Sequence, residues 1–183
     1  MPYQGPVTTS HTLLWPKIIK AKPQDAYAVQ ALKQEVWLAT YPNLQKEVGF
    51  QDVYNKAVQF TTVRRVMAIA EQLTSNTDKV SYVIREGSEV VGLIHISTSA
   101  LTNRLIKLYI KPRWQGKGLG KRLMNFALKK MKNGKPITLS VARANTRAVR
   151  FYQKYGFTIA GEGKPIFFSK NASLPTYEMI KRE

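Results

Sequence analysis

The stretch RWQGKGLGKRLMNFALKK, Arg113 to Lys130, decides how this chain is read. Gly116, Gly118 and Gly120 alternate with Lys117 and Leu119, and an apolar-patterned run follows. Glycine at this density costs backbone entropy, so the loop must stabilise something in return. Upstream, RLIKLYIK (Arg104–Lys111) reads as a strand stopped by Pro112. Downstream, Gly118 to Lys132 has helical spacing. The first N–H groups of such a helix lack internal partners, and the macrodipole adds about half a positive charge there. Lys117, Lys121 and Arg122 add more. With no Cβ atoms in the way, the backbone can approach a ligand closely. The pattern predicts a pyrophosphate site that needs no metal. A tight turn packed on a neighbouring strand is the plainer alternative.

Two familiar phosphate loops fail on detail. A P-loop needs four residues between its glycines and a hydroxyl after the lysine. Here three residues separate Gly116 from Gly120, and Arg122 follows Lys121. A dinucleotide fingerprint needs G-x-G-x-x-G and an acid about 20 residues on. Here the spacing is G-x-G-x-G, and no acid appears before Glu162.

Working outward, Lys17 to Lys22 can form a short strand. Pro23, Gln24 and Asp25 open a helix that carries Val29, Leu32, Val36 and Trp37 at helical spacing and ends at Tyr41-Pro42-Asn43. A second helix is expected from Gln51 to Leu73, with Val53, Ala57, Phe60, Val63, Met67 and Ala70 as its stripe. The period then changes to that of a hairpin, with strands near 80–86 and 89–98. Ile137 to Ala142 is a strand, and Asn145 to Tyr155 a short helix closed by Gly156. Phe157–Ala160 and Tyr177–Ile180 are the last strands. The order β-α-α-β-β-β-α-β-α-β-β contains no repeat and no linker. Residues 1–16 read as a flexible leader before a single domain over 17–183.

The 183 residues suffice for one sizeable core. Hydrophobic residues make up 44% of them, which excludes a disordered chain. No cysteine is present, which excludes disulfides, thiolate metal sites and a cysteine nucleophile. His11 and His95 are too few for a histidine-rich metal site, so no metal is expected. No apolar run approaches a membrane span, and the first residues lack a secretory pattern, so the cytoplasm is the expected compartment. The net charge is +18. From Val90 to Gly161, 72 residues hold 15 Lys or Arg and no Asp or Glu. Such a field attracts anions: nucleic acid, a phosphorylated cofactor or an acidic protein surface.

Gln115-Gly116-Lys117-Gly118-Leu119-Gly120 resembles the acetyl-CoA signature (Q/R)-x-x-G-x-(G/A) of the GNAT acetyltransferase superfamily. Asn145-Thr146-Arg147-Ala148-Val149-Arg150-Phe151-Tyr152-Gln153-Lys154-Tyr155-Gly156-Phe157 resembles its second signature. The two stand in the family's order with a strand between them, and the resemblance covers roughly residues 17 to 181. It implies an α/β (α+β) fold with a mixed, mostly antiparallel sheet of about six or seven strands flanked by about four helices. It implies acetyl-CoA as co-substrate. Leu108, Tyr109 and Ile110 would offer main-chain groups to the pantetheine arm, and the amides of Gly116, Lys117, Gly118, Leu119, Gly120 and Lys121, after Gln115, would hold the pyrophosphate. Asn145 would hydrogen-bond the pantetheine. Tyr152 would be catalytic, returning a proton to the departing thiolate; otherwise it is a core tyrosine.

Many relatives place a glutamate on the strand before the glycine loop, but Arg104–Ile110 holds no acid. Neutralising a lysine-like amine of pKa about 10.4 at pH 7 costs roughly 4 to 5 kcal/mol, an α-amine of about 7.8 only about 1 kcal/mol. A low-pKa acceptor or a water relay is therefore expected. His95 is either a base or a structural strand histidine. Glu35, Glu47 and Asp52 either hold a cationic acceptor or are solvated charges. Trp37 and Tyr41 could line the acceptor cleft. The segment from Tyr41-Pro42-Asn43 to Gly49 would be a substrate-side loop. The expected function is direct transfer of acetyl from acetyl-CoA to a primary amine, whether polyamine, peptide N-terminus, lysine or small amine. The competing class is a basic RNA- or ribosome-associated module on the same fold, which lacks an aromatic recognition strand here. A homodimer is compatible with either.

Overall fold

The computed structural model describes residues 16–182 except 43, 45–47, 76, 100 and 132. The proposed leader therefore lies almost wholly outside the described residues, as do Asn43 and Glu47 of the expected substrate-side loop. The described strands are β1 (Ile18–Lys20), β2 (Lys79–Glu86), β3 (Glu89–Thr98), β4 (Asn103–Ile110), β5 (Ile137–Ala142), β6 (Thr158–Phe167) and β7 (Ser173–Lys181). They form one sheet in the order β1-β2-β3-β4-β5-β7-β6. Every pairing is antiparallel except β4 with β5. The helices are α1 (Ala26–Thr40), α2 (Phe50–Ala57), α3 (Val63–Thr74), α4 (Leu119–Lys130) and α5 (Thr146–Gln153). The mixed α/β class and the mostly antiparallel sheet stand as expected.

The expected helix from Gln51 to Leu73 is two helices. α2 runs into a 3-10 turn over Val58–Thr61, and Thr62 adopts an extended backbone before α3 begins. The hydroxyls explain the break: Thr62 Oγ1 donates to the Gln59 carbonyl at 2.9 Å and Thr61 Oγ1 to Gln34 Oε1 at 3.2 Å. Such side chains offer the backbone an alternative to the helix ladder. The expected stripe breaks at the same place. Val53, Ala57 and Phe60 are buried, whereas Val63 and Met67 point to solvent at 75% and 65% exposure.

The last two strands are longer than expected. Gly161, Gly163 and Pro165 read as strand breakers, but register shifts on β6 absorb them. β6 is the sheet edge, where a proline can be accommodated. Gly163 lies so close to β7 that a Cβ there would collide with Thr176 Oγ1.

One core lies between the sheet and α4 and α5, with Leu119, Leu123, Met124, Leu139 and Phe157 nearly inaccessible. On the opposite face α1 packs through Val29, Leu32 and Val36 against Val83, Val90 and Leu93. Among the described residues no helix is long and apolar enough to cross a membrane.

Candidate active-site cleft

The parallel pair β4 and β5 is registered only at Asn103↔Ile137 and Arg104↔Thr138. Buried Asn103 pins that end: its N–H donates to the Pro136 carbonyl at 2.9 Å and its Nδ2 to the Met131 carbonyl at 2.9 Å. Beyond it the strands diverge. A bulge at Ile106, where His95↔Lys107 is followed by Ile96↔Leu105, bends β4 at the start of the gap. The resulting cavity of about 660 Å³ is lined by both strands, the glycine turn, α1 and α5.

The turn at one end follows from its glycines. Gly116 has φ 78° and Gly118, the residue before α4, has φ 82°, conformations that side chains with a Cβ adopt at a cost. A Cβ at Gly116 would meet nothing, and one at Gly120 only the Phe151 ring at 4.0 Å, so the space over the turn is open. The open cradle and the N-terminus of the twelve-residue α4 fit an anionic diphosphate. Gln115 Nε2 donates to the Ile110 carbonyl at 3.1 Å, and Arg147 Nη1 donates to Gln115 Oε1 at 2.9 Å, tying the turn to β4 and α5.

Of the residues singled out in the sequence, Leu108, Tyr109, Ile110, Gln115, Gly116, Gly118, Gly120, Lys121, Asn145 and Tyr152 line the cavity together. Lys117 and Leu119 do not: the Lys117 ammonium sits 4.7 Å from the Trp114 ring centre, and Leu119 is in the core. Asn145 caps α5, accepting from the Ala148 N–H through Oδ1 at 3.1 Å.

Tyr152 sits in the last turn of α5. The Gly156 N–H donates to Gln153 O at 2.9 Å and the Phe157 N–H to Tyr152 O at 3.2 Å, a Schellman closure made by Gly156 at φ 84°. Phe157 then packs on the Tyr152 ring, 6.0 Å between centres. The Tyr152 hydroxyl makes no hydrogen bond to another described residue. Burial, and then the neighbouring Tyr109 phenol, push its pKa well above the ordinary tyrosine value, so it stays protonated. Tyr41, from the end of α1, lines the same cavity and is pushed up by burial, Tyr109 and Tyr152. Buried Trp37 donates from Nε1 to the Tyr109 hydroxyl at 3.2 Å.

His95 lies away from the cavity. Its Nδ1 pairs with Ser81 Oγ at 2.7 Å and its Nε2 with Gln72 Nε2 at 3.4 Å, and burial, Lys107 and Lys79 lower its pKa to about 4. It is a structural strand histidine. Glu35 pairs with Lys111 at 3.0 Å, Asp52 accepts from the Gly49 N–H at 3.2 Å, and neither is among the residues that line the cleft. Among the described residues, the charged ones that do line it, Lys107, Lys121 and Arg147, are all cationic. Nothing in the sequence singled out Lys107, Arg147 or Ser140. Among the described residues no group of three or more His, Asp or Glu could hold a metal.

Residues 45–174 match the acetyltransferase (GNAT) domain family, and the chain belongs to it. It is 38% identical over 61 residues to the spermine/spermidine N(1)-acetyltransferase of Bacillus subtilis (strain 168), a match covering 32% of this chain and 40% of that protein's length. It is 27% identical over 149 residues to the spermidine N(1)-acetyltransferase of Thermoplasma acidophilum, covering 78% of this chain and 88% of that one. The crystal structure of PaiA N-acetyltransferase from T. acidophilum in complex with coenzyme A has the same fold, with a TM-score of 0.71 at 24% identity over 91% of this chain and 98% of the other. The ribosomal-protein-S18-alanine N-acetyltransferase of Escherichia coli aligns at TM-score 0.65 and 14% identity, over 91% and 92% of the chains.

Proposed function

We propose that the chain transfers an acetyl group from acetyl-CoA to a primary amine by direct attack in a ternary complex. One observation carries this reading: a single cleft holds an open glycine turn at a helix N-terminus and a buried phenol, Tyr152, that enters the reaction with its proton in place. Relatives named for polyamine acetylation support an amine acceptor, and the coenzyme A in the PaiA crystal supports the co-substrate.

In this reading the amides after Gly116 bind the diphosphate, and the exposed edge of β4 from Leu108 to Ile110 pairs with the pantetheine amides. The free Nδ2 of Asn145 donates to the same arm while its Oδ1 caps α5. When bound, acetyl-CoA supplies an acyl thioester: the amine nitrogen forms the C–N bond and sulfur leaves with the C–S electron pair. Tyr152 donates its hydroxyl proton toward that sulfur. No carboxylate among the described residues lines the cavity, so the amine proton leaves through water.

The test is thiol release from acetyl-CoA with a panel of primary amines, for wild type and Tyr152→Phe. The variant is expected to lose about a hundredfold in kcat, the scale of one general acid, while its acetyl-CoA Kd moves less than about threefold. Equal kcat at saturation removes Tyr152 from the chemistry. Retention on RNA with no thiol release from any amine favours the binding-module reading instead.

A further inference from the structure

The two sides of the sheet bring different chemistry to the cleft. On β5, Leu139 and Val141 pack in the core that holds Tyr152 of α5, while Ala142 packs beside Trp37 of α1. Side chains alternate along a strand, so Ser140 shares the Ala142 face. Ser140 therefore lines the cleft from the α1 side, whereas Tyr152 belongs to the α5 side. Arg104↔Thr138 is the last registered pair of β4 and β5. Ser140 is the next residue on that face, about 7 Å further along, where the strands part.

Ser140 is directly cross-strand from Glu178 on β7. Its Oγ donates to Glu178 Oε2 at 2.6 Å and accepts from Arg104 Nη2 at 2.7 Å. Arg104 Nη1 donates to Glu178 Oε1 at 2.5 Å and to Thr138 Oγ1 at 3.1 Å, which closes the network. Burial raises the Glu178 pKa, but the Arg104 and Ser140 hydrogen bonds and the Arg104 charge outweigh it and hold the carboxyl below its ordinary value. An ionised carboxylate only accepts, so the Ser140 proton is committed to Glu178. One lone pair of Ser140 Oγ remains, on an exposed residue of the cleft lining.

A neutral primary amine presents two N–H donors besides the lone pair that attacks, so it needs an acceptor. Lys107 is on the same face, cross-strand from His95, but its ammonium only donates. The Tyr109 hydroxyl already accepts from Trp37 Nε1 at 3.2 Å. We propose that Ser140 Oγ accepts a hydrogen bond from the N–H of the acceptor amine and turns the nitrogen lone pair toward the thioester, with Glu178 and Arg104 as positioning residues that hold the hydroxyl in this orientation. This rests on the acetyltransferase reading above and names the side chain that receives the amine.

The test measures kcat/KM for n-butylamine and spermidine at saturating acetyl-CoA. Ser140→Ala is expected to lower it about tenfold, the scale of one hydrogen bond, while the acetyl-CoA Kd stays within about twofold. Ser140→Thr keeps a hydroxyl and stays within about threefold of wild type. Glu178→Gln lowers kcat/KM about three- to tenfold, and adding it to Ser140→Ala costs less than about twofold more, because Glu178 acts through that hydroxyl. Arg104 and Glu178 are 41% and 27% exposed, and an ion pair this accessible adds little to stability, so the variants are expected to fold. Ser140→Ala within about twofold of wild type, Ser140→Thr as damaged as Ser140→Ala, or a loss carried by the acetyl-CoA Kd overturns the role of Ser140. Additive losses in the double variant overturn the positioning role of Glu178. If no amine releases thiol, which would sink the acetyltransferase reading, the amine site is judged by calorimetry of spermidine with the coenzyme A-loaded protein. Affinity about three- to tenfold weaker in Ser140→Ala and restored in Ser140→Thr then supports the site. Equal affinity, or no binding to wild type, then overturns it.

Discussion

In the proposed function, one end of the cleft holds its ligand chiefly by backbone amides from a single continuous segment, residues 116–121. At the other the groups are side chains from separate elements: Lys107 on β4, Tyr41 after α1 and Tyr152 on α5. The first end is fixed by local dihedral angles, since Gly116 and Gly118 both require positive φ. The second is fixed by how three layers pack. A site made of backbone resists most side-chain exchanges and fails when a glycine is replaced. A site made of side chains changes specificity with one substitution.

The sharpest way to break this contrast is Gly118→Glu. The new side chain is strained at φ 82° and sets a carboxylate where the helix N-terminus would face a diphosphate. Acetyl-CoA affinity by calorimetry is expected to fall at least about a thousandfold, roughly 4 kcal/mol. Affinity kept within tenfold would remove the turn from the binding site.

A second effect belongs to the side-chain end. His95 is cross-strand from Lys107, and its folded pKa of about 4 lies below the ordinary 6.5. Between those values the unfolded chain takes up a proton that the folded chain refuses. Its contribution is therefore complete above pH 6.5 and is lost as the pH falls toward 4, by about 3 kcal/mol. Urea unfolding at pH 7.5, 5.5 and 4.5 should show wild type losing more stability than His95→Gln across that window. Parallel curves would mean that His95 is not held neutral.

The smallest expected effect is at Arg147. It braces Gln115 from α5 and is an exposed cation at the glycine end. Arg147→Ala should weaken acetyl-CoA binding about three- to tenfold, and less at high salt, because solvent screens such charges. A loss as large as that of Gly118→Glu would mean that side chains, not amides, dominate this end as well.

Much of the glycine end was legible in advance because its information is local. Gly116, Gly118 and Gly120 lie in one hexapeptide, and the Asn145-to-Phe157 segment encodes its own cap and closure. Here the letters of the motif acquire reasons. Asn145 caps α5, Gly156 takes the left-handed position, and Phe157 braces the Tyr152 ring. The single long helix over 51–73 was misread because its apolar spacing continues through Thr61 and Thr62, whose hydroxyls find partners on Gln34 and Gln59. β6 runs past the expected Ala160 because bulges at a sheet edge absorb Gly161, Gly163 and Pro165, and β7 lengthens with it as its partner.

By itself the sequence determined the alternation of elements, the glycine turn and the short helix that carries Tyr152, because each depends on dihedral preferences and periodicity within a few residues. Only the tertiary structure decided where β4 and β5 part, that His95 is buried away from the cleft, and that Lys107 lines it. Those facts rest on contacts between residues far apart in the chain, and spacing along the sequence carries no measure of such distances.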